Sequence, residues 1–289
     1  RLTHPDRESR RLPPGTPVDP VPYVTLANPI ASDRTVMRHT LLSGLFENLE
    51  RNAHLRQRLA LFEIGPVFLA GEEGDLPEEA SQLGIILTGP RSLPGWQPAD
   101  QGLMDFFDLK GIVQALAEGL HLSNLSFEAW QSPTFHPGKC ARLLVGERQV
   151  GVLGEVHPQV HERYDWPATP VLSAWFNLDA LLSGVPETYA TQPVPEYPPV
   201  LEDLAVVVDE TLPAEQVAAV IRQAGGKVVA SVRLFDVYRS AQLGVGKKSL
   251  AYSLAYQASD RTLTDKDVSG IRQRIVRRLE QELGAKLKS

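Results

Sequence analysis

Two side chains suited to binding a base of single-stranded RNA lie two residues apart in the stretch LFDVYRS, namely Asp236 and Tyr238. Residues two apart in a β-strand project from the same face, so a strand here would place a carboxylate and an aromatic ring on one surface. Proteins bind single-stranded RNA by stacking bases on aromatic rings and by hydrogen bonds to base edges, and a carboxylate suits the N1–H and N2–H donors of guanine. The pair therefore indicates a base-binding surface, although the same two residue types also occur as ordinary exposed side chains of a strand.

Several basic side chains follow this pair along the chain. Lys247 and Lys248 open the stretch GKKSLAYSLAYQ, which is predicted to be a strand. A lysine ammonium binds phosphate as a point charge and does not distinguish bases, so we expect these two lysines to contact an RNA backbone. The helix after this strand carries Arg272, Arg274, Arg277 and Arg278. Such a run is most often a solvated helix face, and we expect these four side chains to touch phosphate at most.

The elements predicted after residue 195 follow one compact order. They are a strand, a helix, two strands, a helix and a short strand, at residues 204–208, 211–224, 228–238, 248–256, 264–283 and 285–289. Thr211 and Thr264 are the expected helix N-caps, and Asp267 completes a variant capping box with Thr264. This βαββαβ order is the ferredoxin-like arrangement, which packs both helices on one face of a four-stranded antiparallel sheet. The other face is left open and is the expected binding face.

A proline-rich stretch separates this pattern from the first two thirds of the chain. Residues 187–200 hold four prolines and show no helical or strand period, so they predict a semi-rigid linker between a domain of residues 1–190 and one of residues 195–289. Residues 195–289 carry 14 Lys and Arg against 12 Asp and Glu, a net charge of +2, whereas residues 1–194 carry −8. The second domain is therefore the better candidate for binding a polyanion.

The first domain is predicted to be α+β and built on a largely antiparallel sheet. Its expected strands lie in YVTLA, LALFEIGPVFLA, QLGIILTGP, the hairpin ARLLVGERQVGVLGEV and LSAWFNLDALL. Two amphipathic helices are expected, one with Leu45, Phe46 and Leu49 on its buried face and one over DFFDLKGIVQALAEGL.

Composition excludes several functional classes. The chain has 289 residues, 43% of them hydrophobic and 22% charged, which is ordinary for a two-domain globular protein. The single cysteine, Cys140, excludes an internal disulfide and favours the reducing cytoplasm. No apolar run approaches the ~20 residues of a membrane-spanning helix. His136 and His157 each precede a proline, and without a third ligand at suitable spacing we interpret them as turn residues rather than metal ligands.

Eight short strings connect the chain with a known family. In order they are NPIASDRTVMRHTLLSGL, LFEIGPVF, FFDLKG, FHPGKCARL, VGVLGEVHP, YPPVLEDLAVVV, LFDVY and KKSLAYSLAYQASDRTLTDKDV. In this order and spacing they resemble the C-terminal third of the β subunit of bacterial phenylalanyl-tRNA synthetases. The first residues, RLTHPD, lack an initial Met, as expected for a piece of a longer chain.

The resemblance implies different roles for the two domains. Residues 1–190 resemble the catalytic-like module of that subunit, a class II synthetase fold that has lost catalysis and pairs with the catalytic α subunit. Residues 195–289 resemble its ferredoxin-fold anticodon-binding domain, so Ser249 and Lys288 join Asp236 and Tyr238 as expected contacts to phenylalanine tRNA. The implied enzyme is cytoplasmic and uses ATP and Mg²⁺ as a whole, with no cofactor bound by this chain and no role for a membrane or DNA.

Two departures from the family's patterns bear on function. A working class II site needs one arginine on the α-phosphate and another in a glycine-rich junction. By resemblance Leu69 stands at the first place, and no glycine-rich string ends in arginine at the second, so the chain alone is expected not to activate an amino acid. The family usually has Arg-Asp where this chain has Glu202 and Asp203, which removes a phosphate contact or an internal ion pair at that strand.

Two alternatives from other functional classes stay open at the level of sequence. One is an independent RNA-binding protein derived from this family. The other is an amino-acid-binding sensor that uses the synthetase-like pocket. Binding of phenylalanine or ATP by the chain alone would favour the sensor, and the missing arginines argue against it.

Overall fold

The chain divides into two compact units, Arg1–Tyr189 and Ala190–Ser289. The computed structural model describes residues 1–18, 20–71, 75–188, 191 and 194–288. Four residues of the predicted linker, at positions 189, 190, 192 and 193, lie outside the described residues. The division between the units falls within the stretch 187–200.

The first unit is built on a six-stranded sheet. Its elements are β1 (Leu2–Thr3), α1 (Pro5–Ser9), β2 (Val36–Met37), α2 (Leu42–Ala53), β3 (Leu59–Leu69), β4 (Glu78–Thr88), α3 (Phe106–Gly119), β5 (Leu125–Ala129), β6 (Phe135–Val145), β7 (Arg148–Val156), α4 (Pro158–His161), β8 (Val171–Asn177) and α5 (Leu178–Leu182). The sheet order is β3-β4-β8-β7-β6-β5, with every neighbouring pair antiparallel. Strands β1 and β2 form a separate two-stranded sheet.

Both faces of the six-stranded sheet are covered at its central strand β8. On the central strand β8, Val171 packs in the cluster that contains Leu45 and Phe46 of α2. Its neighbour Leu172 packs on the opposite face, in the cluster that contains Leu109 of α3. Because successive strand residues point to opposite faces, a strand covered on both sides is apolar at successive positions, as the sequence of β8 is.

Two expectations for the first unit were wrong in detail. The strand expected in YVTLA is only a single bridge between Thr25 and Val36, because the prolines that flank this stretch leave few donors for a ladder. The strand expected through LSAWFNLDALL ends at Asn177, whose side-chain oxygen accepts from the Ala180 backbone N–H at 2.8 Å and so begins helix α5.

The second unit contains β9 (Val200–Asp209), α6 (Ala214–Gly225), β10 (Val229–Tyr238), β11 (Lys247–Tyr256), α7 (Asp265–Leu283) and β12 (Lys286–Leu287). Its sheet order is β10-β11-β9-β12, all antiparallel. Both helices pack on one face, where Leu250 and Leu254 of β11 share a core with Ile221 of α6 and Ile275 of α7. The predicted ferredoxin-like βαββαβ arrangement is confirmed.

The two helices begin in different ways. Helix α7 has the predicted capping box, in which Thr264 and Asp267 bond to each other's backbone N–H groups, and hydrogen bonds from Thr264 hold the pKa of Asp267 below its usual value. The prediction that Thr211 caps α6 was wrong, because α6 begins at Ala214 after Pro213. A proline disfavours helical geometry in the residue before it, so the helix does not extend back to Thr211.

No helix in the described part of the chain is both long and apolar enough to cross a membrane.

Candidate nucleic-acid interface

The strand register decides which side chains share the uncovered face of the second unit. Tyr238 of β10 lies opposite Ser249 of β11, and Asp236 lies opposite Ala251. Directly paired residues of an antiparallel sheet project from the same face, and Leu250 between the two β11 residues points into the helix-covered core. Asp236, Tyr238 and Ser249 therefore lie together on the open face. The spacing of Asp236 and Tyr238 predicted that these two share a face, whereas Ser249 was expected there only from the family resemblance.

An irregularity in β10 is responsible for this placement. Leu234 lies opposite Tyr252, but the next paired residue is Asp236, opposite Ala251. Phe235 is therefore an extra residue, as in a β-bulge. Before it, Ser231 and Arg233 lie on the open face, opposite Ala255 and Ser253. After it, Asp236 and Tyr238 lie on that face.

The open face is a shallow trough with a floor of small side chains. The floor is formed by Ala205, Val207, Ser249, Ala251, Ser253 and Ala255. On one side stand the longer exposed side chains of β10, Arg233, Asp236 and Tyr238. On the other side stand Lys286, which lies opposite Val207, and Lys288, whose backbone N–H donates to the Ala205 carbonyl at 2.9 Å. The trough thus combines an aromatic ring, one carboxylate and three cations over a floor that leaves room for a base.

Arg233 and Lys286 are members of this face that the sequence analysis missed. Strict alternation from Asp236 would place Arg233 on the opposite face, and only the extra residue Phe235 brings the two together. Lys286 could have been found, since it and Lys288 alternate in the predicted terminal strand.

Lys288 reaches across the trough to the aromatic ring. Its Nζ lies 4.8 Å from the centroid of the Tyr238 ring, the geometry of a cation–π contact. This contact joins the β12 edge of the sheet to the β10 edge.

The two predicted phosphate-binding lysines lie on opposite faces. Lys247 is on the open face opposite Asp209, and its Nζ donates to an Asp209 carboxylate oxygen at 2.6 Å. Lys248 is buried on the helix-covered face, where its Nζ donates to the backbone carbonyl of Glu210 at 2.7 Å. The expectation that Lys248 presents its charge to RNA is corrected, because successive strand residues cannot both face the trough.

Glu202, where the family usually has arginine, also points away from the trough. It lies opposite Leu254, and its carboxylate pairs with Arg272 of α7 at 2.9 Å. Burial raises the pKa of Tyr256 above its usual value, and the charge of Glu202 adds to this shift. The glutamate at this position therefore changes contacts within the fold, on the helix-covered side of the sheet, and not contacts in the trough.

Three of the four arginines of α7 contact the protein on the helix-covered side of the sheet. Besides the pair with Glu202, Arg274 donates to the Ala224 carbonyl at the end of α6 at 2.7 Å. Arg278 pairs with Glu282 one turn along the helix at 2.5 Å. These contacts agree with the expectation that the run is a helix face rather than a base-binding site.

The described residues of the β3–β4 hairpin do not present a free cation to a nucleotide. Leu69 ends β3 opposite Glu78 of β4. The nearby guanidinium of Arg38 is already bonded within the fold, through Nη1 to Glu63 at 2.5 Å and through Nε to the Pro66 carbonyl at 3.0 Å. The residues present at this hairpin therefore do not fit the triphosphate of ATP.

In VGVLGEVHP, the space beside Gly151 and Gly154 is occupied by other protein atoms and is not open to a ligand. A side chain at Gly151 would collide with the ring of Phe176, and one at Gly154 would lie 2.7 Å from the Lys139 carbonyl oxygen. Both glycines permit close packing of neighbouring strands. They do not form a glycine-rich nucleotide junction.

The isolated polar candidates of the first unit have structural roles. The Nδ1 atoms of His136 and His157 accept from the backbone N–H groups of Gly138 and Gln159, at 3.0 and 3.1 Å, as turn histidines do. Cys140 is buried, and burial raises the pKa of its thiol to about 11, so it is a poor nucleophile at neutral pH. The described residues contain no group of three or more His, Cys, Asp or Glu able to hold a metal ion.

Two family models match the chain, one for each unit. Residues 1–178 match the phenylalanyl tRNA synthetase beta chain CLM domain, and residues 195–288 match the ferredoxin-fold anticodon binding domain.

Curated relatives are similar along almost the whole chain. The phenylalanine–tRNA ligase beta subunits of Symbiobacterium thermophilum and Moorella thermoacetica are 41% and 42% identical over 92% of this chain, which covers 30% and 33% of their lengths. That of Geobacillus kaustophilus is 34% identical over 99% of this chain and 35% of its own. The chain spans about a third of the length of these relatives. A pyrrolysyl tRNA synthetase structure from Desulfitobacterium hafniense aligns over 55% of this chain and 51% of its own with TM-score 0.42 and 15% identity, too loose a likeness to support an argument.

Proposed function

The chain belongs to the phenylalanyl-tRNA synthetase beta chain family, and from that membership we propose that it is a non-catalytic part of a phenylalanine–tRNA ligase β subunit. Its second unit binds the anticodon of phenylalanine tRNA. Its first unit contributes to assembly with the catalytic α subunit, which carries out the ATP- and Mg²⁺-dependent reaction in the cytoplasm. Similarity to phenylalanine–tRNA ligase beta subunits extends over both units. This similarity favours the proposed function over a separate RNA-binding protein or an amino-acid sensor.

The observation that carries the RNA-binding proposal is the grouping of Asp236, Tyr238 and Ser249 on the one sheet face that no helix covers. An exposed tyrosine ring offers a stacking surface of about 1–3 kcal/mol per base. The exposed carboxylate of Asp236 can accept from two donors of a guanine edge, which adenine and the pyrimidines do not present in that arrangement. Lys286, Lys288 and Lys247 supply positive charge around the trough for backbone phosphates.

The first unit has a surface suited to a protein partner. Strand β3 lies at an edge of the six-stranded sheet, and its side chains Phe62 and Ile64 are 72% and 58% exposed. With Ile112 of α3 they line an apolar groove. Exposed apolar patches at a sheet edge are typical of surfaces that another protein covers, which supports assembly with the α subunit.

Catalysis is assigned to the partner because this chain lacks the cations that ATP requires. The pure chain should show no phenylalanine-dependent exchange of pyrophosphate into ATP, since transition-state cations are worth several kcal/mol. Addition of the α subunit together with the remainder of the β chain should restore exchange. Measurable exchange by the pure chain would refute the non-catalytic assignment.

The anticodon assignment is tested in the reconstituted enzyme, with Tyr238→Ala and Asp236→Ala. Aminoacylation of the cognate tRNA is compared with that of a tRNA changed only in its anticodon. Tyr238→Ala should raise KM for the cognate tRNA, because about 1–3 kcal/mol of stacking is lost. Asp236→Ala should reduce the preference for the cognate anticodon. Asp260→Ala is the matched control, because Asp260 is exposed in a loop outside β10 and β11. Unchanged discrimination in both variants would overturn the assignment of this face.

The proposed domain limits, residues 1–190 and 195–289, are tested by limited proteolysis. Cleavage within residues 187–200 should release a folded fragment of the second domain, because its core is closed by its own helices. Degradation without a stable fragment of that size would contradict these limits.

A further inference from the structure

One residue of the open face is far less accessible than its neighbours. Ser249 is 3% exposed, although it lies on the face that no helix covers. Ala251, Ser253 and Ala255 lie on the same face of the same strand and are all half-buried. Since these residues are as small as serine, the difference comes from the larger side chains around Ser249, among them its cross-strand neighbours Tyr238 and Val207.

Two long side chains from opposite edges of the sheet meet over this part of the trough. Tyr238 lies directly opposite Ser249 on β10. Lys288 follows β12, which β9 and β11 separate from β10. Three strand spacings of about 4.8 Å make that separation about 14 Å. A contact of 4.8 Å between the Lys288 ammonium and the Tyr238 ring therefore needs both side chains to lie extended across the trough.

We propose that the contact between Lys288 and Tyr238 is a lid that closes the base-binding trough in the free chain, and that RNA opens it. The ammonium then leaves the ring for a backbone phosphate, while a base takes its place against the ring and Ser249 becomes accessible. This inference rests on the proposed anticodon-binding function. It adds that two of the expected RNA contacts, Tyr238 and Lys288, hold each other until RNA arrives.

The exchange is balanced in charge and modest in cost. Lys288 moves from the electron-rich face of a ring to an anionic oxygen, so its charge is never left without a partner. A cation–π contact at an exposed site changes a population by a factor of about two to five. The closed lid therefore reduces RNA affinity by about that factor, and RNA that offers both a base and a phosphate can open it.

The closed state is tested in the free chain, without RNA. In NMR spectra of the chain with labelled lysines, the ε-methylene signal of Lys288 should be shifted upfield by the Tyr238 ring. Its loss in Lys288→Arg identifies the signal, and Lys286→Arg serves as the matched control. Tyr238→Leu should return the signal to the position of the other lysines. An unshifted Lys288 signal would overturn the lid.

The opening is tested by titration of the full chain with phenylalanine tRNA at increasing salt. Lys288→Met should flatten the dependence of log K on log salt by about one ion. At high salt, where phosphate attraction is screened, Lys288→Met should bind about two- to fivefold more tightly than the unchanged chain, because the ring is already free. Lys247→Met should also flatten the dependence of log K on log salt, but it should not bind RNA more tightly than the unchanged chain at any salt concentration.

If Lys288 only contacted phosphate, Lys288→Met should bind RNA more weakly than the unchanged chain at every salt concentration. A Lys288→Met chain that never binds RNA more tightly than the unchanged chain therefore overturns the lid. Absence of tRNA binding by every chain, including the reconstituted enzyme, would overturn the proposed function and the lid's role with it. An unshifted lysine signal beside normal anticodon discrimination would overturn the lid alone.

Discussion

The two sheets of the chain differ in how many of their faces are covered. In the six-stranded sheet, the adjacent residues Val171 and Leu172 are both buried, each in a different core cluster. In the four-stranded sheet, Leu254 is buried while its neighbour Ser253 is half-exposed on the open face. A strand that is covered on both faces, such as β8, is apolar at most positions, whereas a strand with one open face alternates apolar with small residues.

The exposed side chains of the two units differ in the same sense. The first unit exposes Phe62 and Ile64 on an edge strand, which suits a protein surface. The second exposes Tyr238, Arg233 and Lys288 around its trough, which suits a polyanion with stackable rings. The net charges of −8 for residues 1–194 and +2 for residues 195–289 agree with this division.

The largest effect is expected from alanine substitutions in the two sheets. Leu172→Ala should cost about 2–5 kcal/mol of unfolding free energy, and Val171→Ala on the opposite face about 1.5 kcal/mol or more. Leu254→Ala should cost as much as Leu172→Ala, but Ser253→Ala should stay within about 0.5 kcal/mol. Urea unfolding followed by circular dichroism measures each value. A large cost for Ser253→Ala would mean that the open face is not open.

The apolar edge of the first unit is expected to give the next largest effect. Phe62→Ser should weaken association with the α subunit at least about tenfold, because burial of such a side chain is worth about 1.5–3 kcal/mol. Leu55→Ser is the matched control, since Leu55 is also exposed but lies in the turn after α2. Co-purification and titration with the α subunit measure the loss. Equal association of both variants would place the partner elsewhere.

Alkaline pH should destabilise the second unit through two buried tyrosines. Burial raises the pKa values of Tyr252 and Tyr256 well above the unfolded value, so the stability they contribute is complete below about pH 10 and is lost as pH rises beyond it. Each tyrosine contributes a slope of about 1.4 kcal/mol per pH unit above pH 10. Tyr256→Phe should remove the part of this slope that Tyr256 contributes. The four tryptophans all lie in the first unit, so circular dichroism rather than tryptophan fluorescence reports the second. An unchanged slope in Tyr256→Phe would contradict this account.

The smallest effects are expected at the two adjacent lysines. Lys248→Met should lower the stability of the second unit by about 0.5–1.5 kcal/mol, because it removes the hydrogen bond to the Glu210 carbonyl. It should leave the salt dependence of RNA binding unchanged. Lys247→Met should leave stability within about 0.5 kcal/mol and flatten the salt dependence by at most about one ion. Identical behaviour of the two variants would contradict their assignment to opposite faces.

The features that the sequence predicted are those set by local spacing. Thr264 and Asp267 are three residues apart, which is the spacing of the capping box itself. The pattern of β11 shows which face is buried. The same alternation shows that Lys247 and Lys248 cannot share a face, a signal that was present and not used. Features set over longer distances could not be predicted, since the contact of Lys288 with Tyr238 depends on the strand order of the whole sheet.

The extra residue in β10 makes the binding face depend on the strand register as well as on the composition of the strand. A substitution at Asp236 or Tyr238 removes one contact and leaves the rest in place. If Phe235 instead paired with Ala251 and the bulge were lost, Asp236 would lie opposite Leu250 and Tyr238 opposite Lys248. The carboxylate would turn into the apolar core and the trough would lose both contacts at once. The binding face therefore depends on the bulge at Phe235 as much as on the identity of Asp236 and Tyr238.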